Sequence, residues 1–203
     1  MRELVVVRHG ESEGNVEGVA QGELPYPLTA RGREQAQRAA RMIRSLGWTP
    51  EEVVSSPTVR CMQSAEEIAT LLDLDDPRAE PAFTEIDSGL GTGLTFREMR
   101  ERYPDLFNRP ASEWLGFRDI GGESDDQLIA RVGRGLEALP AESRVALVTH
   151  GAVFKGVLAH LLGFSTQFFL DLRNATCMRL ERRRIGTSEV MAWTHLVHAE
   201  EWR

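Results

Sequence analysis

Lysine occurs once, at Lys155, and cysteine only twice, at Cys61 and Cys177, in this chain of 203 residues. Two isolated cysteines without C-x-x-C spacing exclude a zinc ribbon and a disulfide framework, and they are compatible with a reducing compartment. No apolar run approaches the roughly 20 residues needed to cross a bilayer, and no apolar signal core precedes the first predicted strand. A soluble, cytoplasmic protein without membrane contact is therefore expected. Basic residues are also outnumbered, with 24 arginines and lysines against 31 acids for a net charge of −7. A nucleic-acid backbone demands a basic face, so nucleic acid is not an expected partner and any anionic ligand has to be small and gripped locally. Repeats, linkers and low-complexity tracts are missing too, which favours one domain over residues 1–203.

What the chain does have is an unbroken apolar run, Leu4-Val5-Val6-Val7, that stops abruptly at Arg8, His9 and Gly10. Consecutive β-branched residues without alternation predict a strand covered on both faces, as at the centre of a parallel sheet. Open α/β sheets take their ligands at the carboxyl ends of strands, which is where Arg8 and His9 emerge. The same construction recurs as Val145-Ala146-Leu147-Val148-Thr149-His150-Gly151. One strand-end histidine is commonly a packing residue; two strands that both end in His-Gly point to a site.

Between these strands the chain alternates. Glycine and proline between Gly10 and Pro27 predict a loop. Thr29 caps a helix whose Ala36, Ala39, Ala40 and Ile43 share a face and which Gly47 stops. A short strand over 52–55 leads into Ser56-Pro57, an N-cap and N1 pair that would place Arg60 in the first turn of the next helix, a position suited to phosphate oxygens. Residues 82–87, including Glu85, have a strand-like pattern. Gly89, Gly91 and Gly93 lack the flanking strand and helix of a dinucleotide fingerprint. The stretch 88–122 is weakly patterned, with Trp114 and Phe117, and resembles a lid-like insertion. Ser124 to Gln127 forms a capping box for a helix that feeds the second histidine strand, and another buried helix comes after His150. Two strand candidates, near 177–180 and 190–197, close the chain. His195 and His198 fall on opposite faces of the last, which argues against a shared metal.

Two strand-tip histidines, Arg8 beside one of them, Arg60 at a helix start, the Asn15 amide and the Glu85 carboxyl together make a pocket for an oxyanion without a metal. A transferring phosphoryl group carries its charge on equatorial oxygens, and position and electrostatics supply most of its stabilisation. Arginines can do this in place of magnesium. A neutral histidine nitrogen can attack phosphorus, provided the other ring nitrogen donates to a fixed acceptor.

Arg8-His9-Gly10-Glu11-Ser12 with Asn15 resembles the signature of the histidine phosphatase (phosphoglycerate mutase-like) superfamily. The similarity extends through Gln21-Gly22, Pro27-Leu28-Thr29 with Gly32, Ser55-Ser56-Pro57 with Arg60, Glu85, Gly121 to Ser124, and Thr149-His150-Gly151. The resemblance implies an α/β fold, a three-layer αβα sandwich around a mostly parallel sheet, and no cofactor. It implies His9 as the phosphorylated nucleophile and Glu85 as proton donor. Arg8, Asn15, Arg60 and His150 would bind phosphoryl oxygens, with Gln21, Gly22, Gly151 and Ala152 lining the pocket. Pro25-Tyr26 and Gly91-Thr92 depart from the family pattern and bear on the substrate.

The family includes mutases and phosphatases. The segment between Glu85 and His150 has no adjacent arginine pair to grip a substrate carboxylate, so hydrolysis of a small phosphate monoester is expected, with a cofactor-dependent phosphoglycerate mutase as the alternative. A homodimer is compatible with the sequence. Gly10-Glu11-Ser12-Glu13-Gly14 also fits the nucleophile elbow of a serine hydrolase, but an elbow requires a helix directly after the serine, where a glycine-rich loop is predicted here.

Overall fold

A computed structural model describes residues 1, 3–110, 113–163, 172–185 and 187–198. Six strands form one sheet in the order β3-β2-β4-β1-β5-β6: β1 (Glu3–Arg8), β2 (Glu52–Ser55), β3 (Arg78–Ala79), β4 (Arg144–Thr149), β5 (Thr176–Ile185) and β6 (Ser188–His198). The neighbours β3, β2, β4 and β1 pair in parallel, whereas β5 runs antiparallel to β1 and folds back into β6. The first strand is thus interior, with one parallel and one antiparallel neighbour. The two closing strands are longer than their apolar segments suggest, because the hairpin continues through Arg182, Arg183 and Arg184.

Strand periodicity builds the three layers. Leu4 and Val6 of β1, with Val145 and Leu147 of β4, pack beneath α6 (Asp125–Glu137) and α7 (Gly151–Leu162). Val5, Val7, Ala146 and Val148 face the other way, against α2 (Ala30–Ser45) and α3 (Val59–Leu72). All eight are at most 1% exposed, and each valine or leucine contributes about 1.5–3 kcal/mol of burial. The central strands therefore form a rigid platform whose tips carry the histidines.

Helix starts obey local chemistry in most places. The Thr29 hydroxyl accepts from the Gly32 amide, and Ser124 and Gln127 cap each other reciprocally. Three local expectations are corrected. A helix, α1 (Glu13–Glu17), stands where glycines predicted a loop, because Ser12 and Asn15 form a capping box and Gly18 closes the helix in the left-handed conformation at φ 72°. The N-cap of α3 is Thr58 instead of Ser56. Residues 82–87 are not a strand: Pro81 starts a single 3-10 turn, Pro81–Phe83, with the Glu80 side chain accepting from the Ala82 amide.

The stretch 88–122 contributes α4 (Phe96–Arg102) and α5 (Pro104–Phe107) with short 3-10 turns. Met99 and Leu106 enter the α6/α7 core, and Trp114 stacks edge-on against Phe117 at 5.6 Å. Those aromatics pack on one another, so their substitution is a matter of stability as much as of selectivity. Among the described residues no helix is long and apolar enough to cross a membrane.

Candidate active site

The parallel register of β1 and β4 pairs Arg8 with Thr149, so the next residues, His9 and His150, sit side by side. Their ring centroids are 5.2 Å apart, and they are 2% and 0% exposed. His9 Nδ1 lies 2.7 Å from its neighbour's carbonyl, Gly10 O. A carbonyl only accepts, so Nδ1 carries the proton and Nε2 keeps its lone pair. Among the described residues the hydrogen bond of the His9 ring is made through Nδ1, not Nε2. Burial pushes the His9 pKa well below its ordinary value, and the nearby Arg8 and Arg60 push it the same way. The imidazole is therefore neutral at physiological pH.

Two glycines let the loop after His9 reach this position. A Cβ on Gly10 would lie 2.1 Å from the Gly32 carbonyl oxygen, and one on Gly32 would lie 2.0 Å from the Glu11 carbonyl oxygen. The start of α2 thus packs directly on the backbone of the histidine loop. The Gly10 amide donates to Ser64 Oγ at 3.1 Å and the Glu11 amide to Gln35 Oε1 at 2.8 Å, which ties the loop to α3 and α2.

Arg60, in the first turn of α3, is 1% exposed. Its Nη2 donates to Gly22 O at 2.7 Å and its Nη1 to Leu24 O at 3.3 Å, while its buried Nε has no partner among the described residues. Gly22 thereby aims the guanidinium through its carbonyl. Gln21 turns to Ser12, with Oε1 2.8 Å from Ser12 Oγ. Asn15 Oδ1 accepts from the Ser12 amide at 3.1 Å and from Asn174 Nδ2 at 3.0 Å, which fixes the amide flip and leaves Asn15 Nδ2 for another acceptor. Arg8 Nη1 donates to Leu172 O, and Gly151 is close enough that a Cβ there would lie 3.9 Å from Arg8 Nε.

Glu85 faces this group from the loop after the 3-10 turn. Its Oε2 is 3.8 Å from His150 Nδ1, and its side chain is 21% exposed. Burial raises its pKa, opposed in turn by the Ile86 amide, Arg60, Arg8 and the Ala152 amide at the start of α7. Its backbone is held from several sides: Thr149 Oγ1 donates to Phe83 O at 2.9 Å, Arg131 Nη1 donates to both Ala82 O and Thr84 O at 2.9 Å, and the Glu123 amide donates to Asp87 O at 2.8 Å. Arg131 is anchored in turn on Glu123, with 2.7 Å and 2.9 Å contacts. Beyond Glu85 a groove of about 820 Å³ opens between Glu23, Pro57, Asp87, Gln127 and Arg134.

Of the ten residues singled out from the sequence, His9, His150, Arg60 and Glu85 are brought together, Asn15 is linked to His9 through Asn174, Gln21 and Gly22 meet Ser12 and Arg60, Gly151 lies by Arg8, and the Ala152 amide acts on Glu85. Sequence reasoning missed Asn174, Arg131, Thr58 and Cys61. Asn174 bridges His9 O at 3.2 Å and Asn15 Oδ1 across more than 150 residues of chain, which no local pattern signals. The ground for rejecting a serine nucleophile also changes, since α1 does come directly after Ser12. Its hydroxyl is nevertheless fully buried and committed to the Asn15 amide and the Gln21 side chain. Among the described residues no group of three His, Cys, Asp or Glu side chains is placed to hold a metal ion.

Paired imidazoles, arginines and a carboxyl gathered at the strand tips of a three-layer αβα fold are the architecture of proteins that handle phosphoryl groups. Residues 4–194 match the family model described as histidine phosphatase superfamily (branch 1), and the chain belongs to that superfamily. It is 32% identical over 165 residues to 6-phosphofructo-2-kinase/fructose-2,6-bisphosphatase 1 of Rattus norvegicus, covering 81% of this chain and 34% of that protein. The chain thus spans about a third of the length of that relative. It is also 32% identical over 165 residues to the uncharacterized phosphatase PhoE of Bacillus subtilis, covering 80% and 79% of the two chains. Among solved structures, a mycobacterial glucosyl-3-phosphoglycerate phosphatase with VO3 superposes with a TM-score of 0.79 at 26% identity, covering 96% and 98% of the two chains.

Proposed function

We propose that the chain is a metal-independent phosphatase that hydrolyses a small phosphate monoester through a phosphohistidine on His9. The carrying observation is the 2.7 Å contact of His9 Nδ1 with Gly10 O, which leaves a neutral Nε2 with its lone pair at the pocket. Nε2 attacks phosphorus, the P–O bond to the leaving group breaks, and Glu85 gives that oxygen its proton. Water then attacks the phosphohistidine with Glu85 ionised as base, releasing phosphate and restoring the acid. Arg8, Arg60, Asn15 and His150 hold the three equatorial oxygens, and the cationic pair takes the place of a metal ion.

The leaving group is assigned to the groove beyond Glu85. Glu123 there is already neutralised by Arg131, and Glu23 and Asp87 outnumber Arg134 among the remaining charges of the lining. Such a lining disfavours a substrate carboxylate, which supports hydrolysis over a mutase. The segment 88–122 is assigned as a lid-like insertion: its ends meet where the Glu123 amide donates to Asp87 O, and its middle is pinned to residues 18–20 by backbone bonds such as Ala20 N–H to Leu94 O. The single domain works on a small phosphorylated substrate in the cytoplasm, with no nucleic-acid partner. Acid-labile labelling from a 32P-phosphate ester tests the reading: label is expected on His9, lost in His9→Ala and unaffected by chelator. Label on another residue, or chelator-sensitive turnover, overturns it.

A further inference from the structure

The start of α3 holds a hydroxyl, that of Thr58, which its own helix does not use, while the Ser56 hydroxyl accepts only a long 3.4 Å bond from the Thr58 amide. Thr58 is the N-cap, yet its side chain makes no capping hydrogen bond. That bond ordinarily stabilises a helix by about 1 kcal/mol. Thr58 Oγ1 instead sits 3.3 Å from His150 Nε2 and 3.2 Å from Ser56 Oγ, and Ser56 Oγ lies 2.8 Å from the same Nε2. Cys61 Sγ completes the cup at 3.4 Å. Ser56, Thr58 and Cys61 are all buried.

We propose that Ser56 and Thr58 are positioning residues for His150: Thr58 forgoes helix capping, and both oxygens hold the His150 Nε2–H, so that Nδ1 faces the phosphoryl site. The assignment rests on the proposed phosphatase reading for what Nδ1 meets, but its geometry stands alone. Arg60 Nη2 lies 3.3 Å from Nδ1. A guanidinium only donates, so Nδ1 is the acceptor and Nε2 carries the hydrogen, which the hydroxyl oxygens accept.

The remaining groups facing the ring are His9, Arg8, Arg60, Glu85 and Arg131, together with the Cys61 thiol, which burial pushes up to about 12 and so keeps neutral. The cup is therefore uncharged and compatible with either charge state of the ring. When a phosphate dianion arrives, His150 gains one proton from solvent at Nδ1, the Arg60 Nη2–H is released from that nitrogen to the phosphate, and Nε2–H stays in the cup. A phosphate oxygen then receives the Nδ1–H.

Histidine 15N NMR on the full chain tests this with inorganic phosphate as the probe, alongside melting temperature and single-turnover phosphoenzyme formation. Wild-type His150 is expected as the Nε2–H tautomer, protonating at Nδ1 when phosphate is added. Ser56→Ala should raise the Nδ1–H population in the free protein. Thr58→Val removes no capping bond, so its melting temperature should fall by no more than the loss of one buried hydrogen bond entails, while phosphoenzyme formation slows about 2–12-fold. Thr58→Ser should restore the rate. A melting temperature that falls in Thr58→Val with the rate unchanged would show an ordinary cap and overturn the proposal, as would a His150 tautomer indifferent to Ser56→Ala. The free-protein tautomer does not depend on turnover, so failure of the phosphatase reading would appear separately, as absent His9 labelling.

Discussion

Replacing Glu85 by Gln removes a transferable proton while keeping the side chain's size and an oxygen for the Ile86 amide, which Oε1 accepts at 3.0 Å in the native protein. A positioned general acid contributes about 10²–10⁴-fold, or roughly 2.7–5.4 kcal/mol of barrier. An alkyl leaving group, whose alkoxide is unstable in water, should lose that whole factor in phosphoenzyme formation. p-Nitrophenolate departs without a proton and should lose less than about 10-fold. Steady-state rates blur the contrast, because the same carboxyl also activates water in the second half-reaction and slows every substrate alike. Rapid quench of the first turnover isolates the step. The native basic limb also has a sign: donation needs the protonated acid, so formation falls as pH rises through the raised Glu85 value, and this limb should vanish in Glu85→Gln. Equal losses for the two leaving groups in the first turnover, or an unchanged basic limb, would refute the donor role.

Gly32→Ala should cost about 1–3 kcal/mol, the range for forced overpacking, because its Cβ would lie 2.0 Å from the Glu11 carbonyl oxygen. Denaturant unfolding reads the loss, and phosphoenzyme formation should drop with it as the His9 loop shifts. The buried histidines make a further prediction for pH. Both pKa values are depressed, so the unfolded chain binds more protons below about pH 6.5 and stability falls as pH drops through that value, by at most about 1.4 kcal/mol per pH unit per group. Glu85, with its pKa raised, acts in the opposite sense at lower pH. Melting temperatures from pH 7.5 to 5.5 should show the decline, and a flatter profile is expected in His9→Asn; an identical slope would contradict the assignment.

The platform was legible in the sequence because its cause is local. Four apolar, valine-rich residues in a row at Leu4 to Val7, and again at Val145 to Val148, each stopped by a polar residue, favour short strands buried on both faces, and the His-Gly pair after each is carried to the strand tips. Capping chemistry was legible where one candidate stood alone, as at Thr29 and Ser124. It failed at Ser56, where the N-cap is the second hydroxyl residue, Thr58, and both hydroxyls turn to His150, 94 residues from Ser56 in the chain. Glycine content concealed α1, whose reciprocal Ser12 and Asn15 bonds outweigh two poor helix formers. Arg131 and Asn174 were illegible for a third reason: each acts on backbone carbonyls of remote loops, and an arginine or asparagine reaching a carbonyl has no sequence period.

The register of β1 against β4 has a consequence for how the protein fails. Both histidines ride on neighbouring rungs of one ladder in the middle of the sheet, with no hinge between them. Heat or denaturant cannot part them without parting the ladder, and the innermost strands of a domain open only when the whole domain opens. Inactivation and global melting should therefore coincide, with the amides of Val7 and Val148 among the last to exchange with solvent.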